Sequence, residues 1–306
     1  MSQHSPNPFG ASQLDYQPSE FPETTQAAEG RSIGEIISHA NNLSPDQVEQ
    51  ILAHQRSHGL RFGEAAVALG LVNSDDVLWA LAQQFHYPYS VDSSTKLSAE
   101  LVVATKPFSE QAEAFRSMRS HLIMRMYSDN RPRKALAILS ADSGDGKSYF
   151  AANLATAFSQ LSGRTLLIDA NMRSPKQHEI FGLKTQAVGL SAILSGRASG
   201  SVICPVKELP NLFVMPVGTT PPNPLELLER PAFGILIREL LPRFDHIIVD
   251  TPSATQGVDY AVIAAKAGAA LIVARQDKTH MYALQEMLHT VSLGPTEIAG
   301  TVMNEF

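Results

Sequence analysis

The pattern of apolar and polar positions changes character three times along the chain. Residues 1–30 mix Ser, Pro, Gln, Glu and Asn without any period, which predicts a disordered tail. From Ile33 to about Tyr89 apolar residues recur at helical spacing, and the pattern repeats itself. Ile33-Gly34, Leu43, Val48, Leu52 and Gln55 return as Phe62-Gly63, Val72, Val77, Leu81 and Gln84, each 29 residues later. Both copies place a helix start at the same point. Ser44-Pro45-Asp46-Gln47 supplies a cap, a Pro at the first helical position and a Gln at N3, and Asn73-Ser74-Asp75-Asp76 is its counterpart. Residues 31–91 are therefore expected to form a small all-helical repeat domain, followed by a linker over 92–108.

From Ser109 onward helical and continuously apolar segments alternate. A helix is expected over 109–126 and strands over 135–140, 165–169, 212–217, 246–250, 269–274 and 298–304. Helices fall between the strands, as at 147–161, 224–241 and 259–267. Strands this apolar are covered on both faces, so residues 109–306 predict an α/β domain with a doubly wound, mostly parallel sheet.

Composition narrows the function classes. The 306 residues are 44% hydrophobic and 18% charged with a net charge of −6, as in an ordinary globular protein. No Lys/Arg run marks a nucleic-acid surface, so no nucleic-acid partner is expected. Cys204 is the only cysteine, which excludes an internal disulfide framework and fits a reducing cytosol. The start, Met1-Ser2-Gln3-His4-Ser5-Pro6, lacks a basic and an apolar signal region, and no apolar run approaches the ~18 residues of a membrane span. The expectation is a cytoplasmic protein without direct membrane insertion.

The densest chemical signal is Ser140-Ala141-Asp142-Ser143-Gly144-Asp145-Gly146-Lys147-Ser148, between an apolar strand and a helix. Strand, small-residue loop, Gly-Lys-Ser and helix is the layout of a phosphate-binding P-loop. Glycines let backbone N–H groups approach phosphates, and the helix N-terminus favours negative charge. Ser143, Gly144, Asp145, Gly146, Lys147, Ser148 and Tyr149 are the nucleotide-binding candidates, with Lys147 on the β/γ-phosphates and the Ser148 hydroxyl on Mg²⁺. Ala141 stands where the usual pattern has Gly. Lys147 is expected to face solvent when no nucleotide is bound.

Two further strands end on acids, in Leu166-Leu167-Ile168-Asp169-Ala170-Asn171-Met172-Arg173 and Ile247-Ile248-Val249-Asp250-Thr251-Pro252. In open parallel sheets ligands bind outside the carboxyl ends of strands, so Asp169 and Asp250 are candidates to hold Mg²⁺ directly or through water. Each could instead cap the following turn.

Taken together, the P-loop, the Asp-x-Asn-x-Arg strand end and the apolar-Asp-Thr-Pro segment resemble the bacterial tyrosine kinases that share the fold of the MinD/ParA ATPases. Glu113-Ala114-Phe115-Arg116-Ser117-Met118-Arg119 is similar to that family's Glu-x-x-Arg-x-x-Arg helix, and the resemblance implies that Glu113, Arg116 and Arg119 mediate oligomer assembly. Pro222-Asn223-Pro224-Leu225-Glu226-Leu227-Leu228 also matches, and Val302-Met303-Asn304 resembles the final strand whose Asn lies near the adenine. The whole most resembles EpsG-type kinases linked to exopolysaccharide chain-length control. Two departures stand out. Asn171 replaces the family's second Asp, and the tyrosines, Tyr16, Tyr87, Tyr89, Tyr127, Tyr149, Tyr260 and Tyr282, are scattered, with no C-terminal cluster before Phe306.

The N-terminal repeat resembles the N-terminal domain of type II secretion and pilus ATPases, some of which bind cyclic di-GMP. Arg61, Gly63 and Gln84 of the second copy are the residues that this resemblance marks, while the first copy has Ser32 and Asn41 where Arg and Gly are expected. The alternative is a fold that docks a protein partner. The resemblances imply an ATP- and Mg²⁺-dependent protein-tyrosine kinase with catalytic Lys147, Asp169 and Asp250. They imply a homo-oligomer reaching the membrane through a chain-length determinant (Wzz-like) partner. The alternative is a MinD/ParA-like ATPase switch without tyrosine chemistry.

Overall fold

The structure is a computed structural model that describes residues 32–73, 76–77, 79–81, 97–127, 132–183, 188–197 and 202–305. The expected tail, Gln84 and residues 92–96 of the expected linker lie outside them. Described residues up to 81 and from 97 onward belong to two separate compact units.

The first unit contains helices Ile33–Ala40, Pro45–His58 and Phe62–Ala68. The 29-residue repeat is written into its caps. Ser32 and Glu35 exchange side-chain and backbone bonds at 3.3 and 2.8 Å, and Ser44 with Gln47 does the same at 3.3 and 2.8 Å. One repeat later Arg61 N–H donates to Glu64 at 2.8 Å, and Asn73 and Asp76 form a reciprocal pair at 2.9 and 3.0 Å. Ile36, Ile37, Ile51, Ala65, Ala66, Val72 and Ala80 are buried together. Gly63 is buried, and a Cβ there would strike Val77, so packing accounts for this glycine without a ligand. Arg61 is exposed.

The second unit is a seven-stranded sheet of β1 (Ala135–Leu139), β2 (Thr165–Asp169), β3 (Cys204–Pro205), β4 (Leu212–Met215), β5 (His246–Asp250), β6 (Gly268–Arg275) and β7 (Glu297–Asn304). The order is β3-β4-β2-β5-β1-β6-β7. Every pairing is parallel except β3 with β4. The expected doubly wound α/β sheet is the observed one, and β1, β2 and β4 are wholly buried. One apolar cluster joins Leu166, Ile168, Phe213, Phe233, Leu236 and Ile263, and the other Phe115, Leu136, Phe150, Leu154, Phe158 and Ile248.

One local reading is corrected, and one strand was not expected. The single helix expected over 224–241 is two, Pro224–Glu229 and Pro231–Leu240. Pro231 forces extended backbone on Arg230 (φ −56°, ψ 150°) and cannot continue the hydrogen-bond ladder. The short antiparallel β3 carries too few residues for any apolar period. Among the described residues no helix is long and apolar enough to cross a membrane.

His246, at the start of β5, is wedged between Tyr127 and Phe158, with ring centroids 4.7 and 4.5 Å away. Burial pulls its pKa from 6.5 down to about 4; Asp245 opposes this, while Arg133 and Arg119 add to it. The unfolded chain therefore binds this proton more readily, and stability falls as pH drops below the unfolded value towards 4. The contribution is about 2 kcal/mol between pH 7 and pH 5. Urea unfolding at both pH values should show the wild type losing about 2 kcal/mol more than His246→Phe between pH 7 and pH 5.

Candidate nucleotide and phosphotransfer site

The loop after β1 leads into the helix Lys147–Ser159 through two left-handed glycines, Gly144 (φ 86°) and Gly146 (φ 94°). A Cβ at Gly146 would also collide with Asn304 Nδ2. Gly146→Ala should therefore strain the loop by about 1–3 kcal/mol and weaken nucleotide binding at least ~10-fold. Titration with a fluorescent ADP analogue measures it.

The loop is held from several sides. Ser140 Oγ donates to Asp142 O at 2.9 Å, and Asp145 Oδ2 accepts from Asp142 N at 3.0 Å. Asn304 Nδ2, from the end of β7, donates to Asp145 O at 3.0 Å. Arg275 Nη1 donates to Gly144 O at 3.2 Å, and Asp142 accepts from His280 N and faces His280 Nδ1, both at 3.1 Å. Burial would raise the Asp142 pKa, but these His280 contacts outweigh it and hold it below its usual value. Thr251 Oγ1 donates to Ile138 O at 2.6 Å, and Ala254 N donates to Ser140 O at 3.0 Å. The Asp-Thr-Pro segment thus stays zipped to the loop.

Lys147 does not face solvent as expected. It is only 7% exposed, and Nζ donates to Ser140 Oγ at 2.9 Å. Burial lowers its pKa, while Asp250, Asp145 and Asp142 pull it back up. The hydroxyl of Ser140 is a short-range anchor, and the three carboxylates favour the protonated, cationic form of the side chain.

Asp169 and Asp250 end adjacent strands as register partners, and both are fully buried. Asp169 Oδ1 accepts from Asn171 N, and Oδ2 accepts from Lys176 N and Gln177 N, all at 3.1 Å. Burial and the Asp250 charge nevertheless raise its pKa well above the usual value. Burial raises Asp250 too, against the hydrogen bonds of Gln177 and Ser148 and the charge of Lys147. Asp250 Oδ2 accepts from Gln177 Nε2 at 2.7 Å, whereas the buried Oδ1 has no partner. That open acceptor beside Ser148 fits a hydrated Mg²⁺. Among the described residues no three His, Cys, Asp or Glu side chains converge on a cation site, so a metal here would need phosphate oxygens as ligands.

Asn171 Oδ1 accepts from Ser174 N at 3.1 Å, which makes it a turn cap. Arg173 of the same motif pairs with the buried Asp259 at 2.9 Å. Ser143, Lys147, Ser148, Tyr149, Asn171 and Lys176 line a cavity of about 240 Å³. Tyr149 also lines a second, more apolar cavity of about 270 Å³ with Phe115, Met118, Val302, Met303 and Asn304. Gln177 and the bond between Ser140 and Lys147 were not visible in the sequence, because neither residue type signals a site contact without its neighbours in space.

The helix Glu110–Met126, capped by Ser109, carries the three assembly candidates. Arg116 pairs with Glu113 at 2.9 Å and also donates to Pro107 O, and Arg119 Nη1 donates to Ala157 O at 2.6 Å. Both guanidiniums thus have bonds within their own subunit.

Residues 131–305 match the ParA family, described as NUBPL iron-transfer P-loop NTPase. The chain is 34% identical over 206 residues to the putative tyrosine-protein kinase CapB of Staphylococcus aureus, covering 67% of this chain and 89% of that one. It is 34% identical over 194 residues to the tyrosine-protein kinase ptk of Acinetobacter johnsonii, covering 63% of this chain but only 26% of that one. The kinase domain of the Escherichia coli tyrosine kinase ETK superposes with a TM-score of 0.63 at 28% identity, over 69% of this chain and 81% of that one. The chain therefore belongs to the P-loop NTPase family that includes the bacterial tyrosine-protein kinases.

Proposed function

We propose that this protein is an ATP-dependent protein-tyrosine kinase that regulates exopolysaccharide chain length, polymerisation and export. The observation that carries the reading is the convergence of Lys147, Ser148, Asp169 and Asp250 at the carboxyl ends of β1, β2 and β5. Kinase homologues support it over a pure ATPase. The γ-phosphoryl group would pass to a tyrosine oxygen as the bond to the β–γ bridging oxygen breaks, with ADP leaving.

Each residue has a distinct task. Backbone N–H groups of the loop cradle the phosphates. Lys147 exchanges Ser140 for a phosphate oxygen and offsets its charge. Mg²⁺, when bound, would neutralise the β/γ oxygens, with Ser148 and Asp250 as its protein ligands, directly or through water. Asp169 Oδ1 accepts one hydrogen bond and keeps a lone pair for the phenolic proton once tyrosine binding opens this buried carboxylate, and its raised pKa makes it a stronger base than an ordinary Asp. The apolar cavity around Tyr149 and Asn304 takes the adenine. Positioning and electrostatics supply most of such catalysis.

A second copy and a membrane-embedded, Wzz-like chain-length determinant complete the reading, with the chain acting in the cytoplasm. The Glu113-Arg116-Arg119 helix is the assembly element, so its arginines would trade intrachain bonds for intersubunit ones. Arg116→Ala with Arg119→Ala should shift the mass in solution towards monomer, read by light scattering. An unchanged oligomer would remove the helix from that role. The N-terminal helical unit is read as a protein-docking module, since Gly63 is explained by packing; cyclic di-GMP is its alternative ligand. The functional test is phosphotransfer from labelled ATP to tyrosine, weak for the chain alone and stimulated by the partner's cytoplasmic segment.

A further inference from the structure

Gln177 hydrogen-bonds both strand-end carboxylates and the P-loop helix. It opens the turn Gln177–Ile180 and is fully buried. Its backbone N–H donates to Asp169 Oδ2 at 3.1 Å. Its side-chain Nε2 donates to Asp250 Oδ2 at 2.7 Å and to Ser148 O at 3.1 Å. Two buried acceptors are left without partners at this junction, Gln177 Oε1 and Asp250 Oδ1. A buried acceptor without a donor is costly unless something else supplies the hydrogen. Water in the shell of a hydrated cation is such a donor, and Mg²⁺ keeps several of its waters.

We propose that Gln177 is a positioning residue of the Mg²⁺–nucleotide site, fixing Asp250 through Nε2 and accepting a hydrogen from metal-bound water at Oε1. The inference rests on the reading of the P-loop as a Mg²⁺–nucleotide site and not on tyrosine transfer. Holding Oδ2 leaves Oδ1 as the one open acceptor of Asp250. Asn171, Ser174 and Lys176 precede Gln177 on the same segment and line the nucleotide cavity. The amide therefore also ties that cavity wall to the first turn of the P-loop helix.

The test titrates MgCl₂ into the full chain with a fluorescent ADP analogue and repeats the binding in EDTA. Gln177→Met keeps the length and volume but loses donor and acceptor. It should raise the Mg²⁺ midpoint about 10-fold or more, as for other outer-shell partners, and leave affinity in EDTA unchanged. Gln177→Asn, which keeps a shortened amide, should fall between Met and wild type. A wild-type midpoint in Gln177→Met, an equal loss in EDTA, or an Asn variant no better than Met would overturn the proposal. If Gln177→Met does not fold by circular dichroism, Gln177→Asn decides alone: a raised midpoint with intact EDTA affinity supports it, and an unchanged midpoint overturns it. A wild type with no Mg²⁺ dependence would overturn the site reading, and the inference with it.

Discussion

Lys147→Met should lower ATP turnover by about 10³-fold, because a cation aimed at developing charge in a dry site is among the largest single contributions to catalysis. The structure changes what else is expected of this variant. Lys147 is buried and bonded to Ser140, with Asp250, Asp145 and Asp142 around it. Removing the ammonium leaves those carboxylates without their cation, so some stability is lost along with activity. Met preserves the packing of the chain stem, so circular dichroism should be unchanged while turnover collapses. Retained turnover would remove Lys147 from the site.

Asp250→Asn should do the reverse to stability. Asp250 and Asp169 are buried side by side, and burial raises both pKa values. A carboxyl whose folded pKa is raised binds its proton more tightly in the native state. Stability is then lost as pH rises from the ordinary carboxylate range through the folded pKa. At pH 7 the substitution removes that penalty and relieves Asp169, and Asn Oδ1 can still accept from Gln177 Nε2. The melting temperature should rise, by more at pH 7 than at pH 4 relative to the wild type at the same pH, while turnover falls about 10²–10³-fold. A fall in melting temperature would show that the pair is not a strained acidic dyad.

Much of this unit could be read from sequence because its strands are apolar on both faces and its P-loop is local. Thr165–Asp169 and His246–Asp250 were legible to the residue, since each apolar run stops at an acid. The two-residue β3 and the break at Pro231 were not. The first is set by pairing with β4, and the second by one residue inside an otherwise continuous helical pattern. The site divided along the same line. Residues adjacent in sequence, such as Ser143–Ser148, were visible. Contacts across 100 residues or more, such as His280 with Asp142 and Arg275 with Gly144, were not. The burial of Lys147 was missed because it comes from the carboxylates and Ser140 gathered around it, not from its own motif.

The most direct test is transfer itself. The purified chain, with Mg²⁺ and γ-labelled ATP, is incubated with a tyrosine-containing polymer and with the cytoplasmic segment of a chain-length determinant. Acid hydrolysis should recover labelled phosphotyrosine, and none with Lys147→Met. Label released only as inorganic phosphate, with no phosphotyrosine under either condition, would contradict the kinase reading and make the protein an ATPase switch.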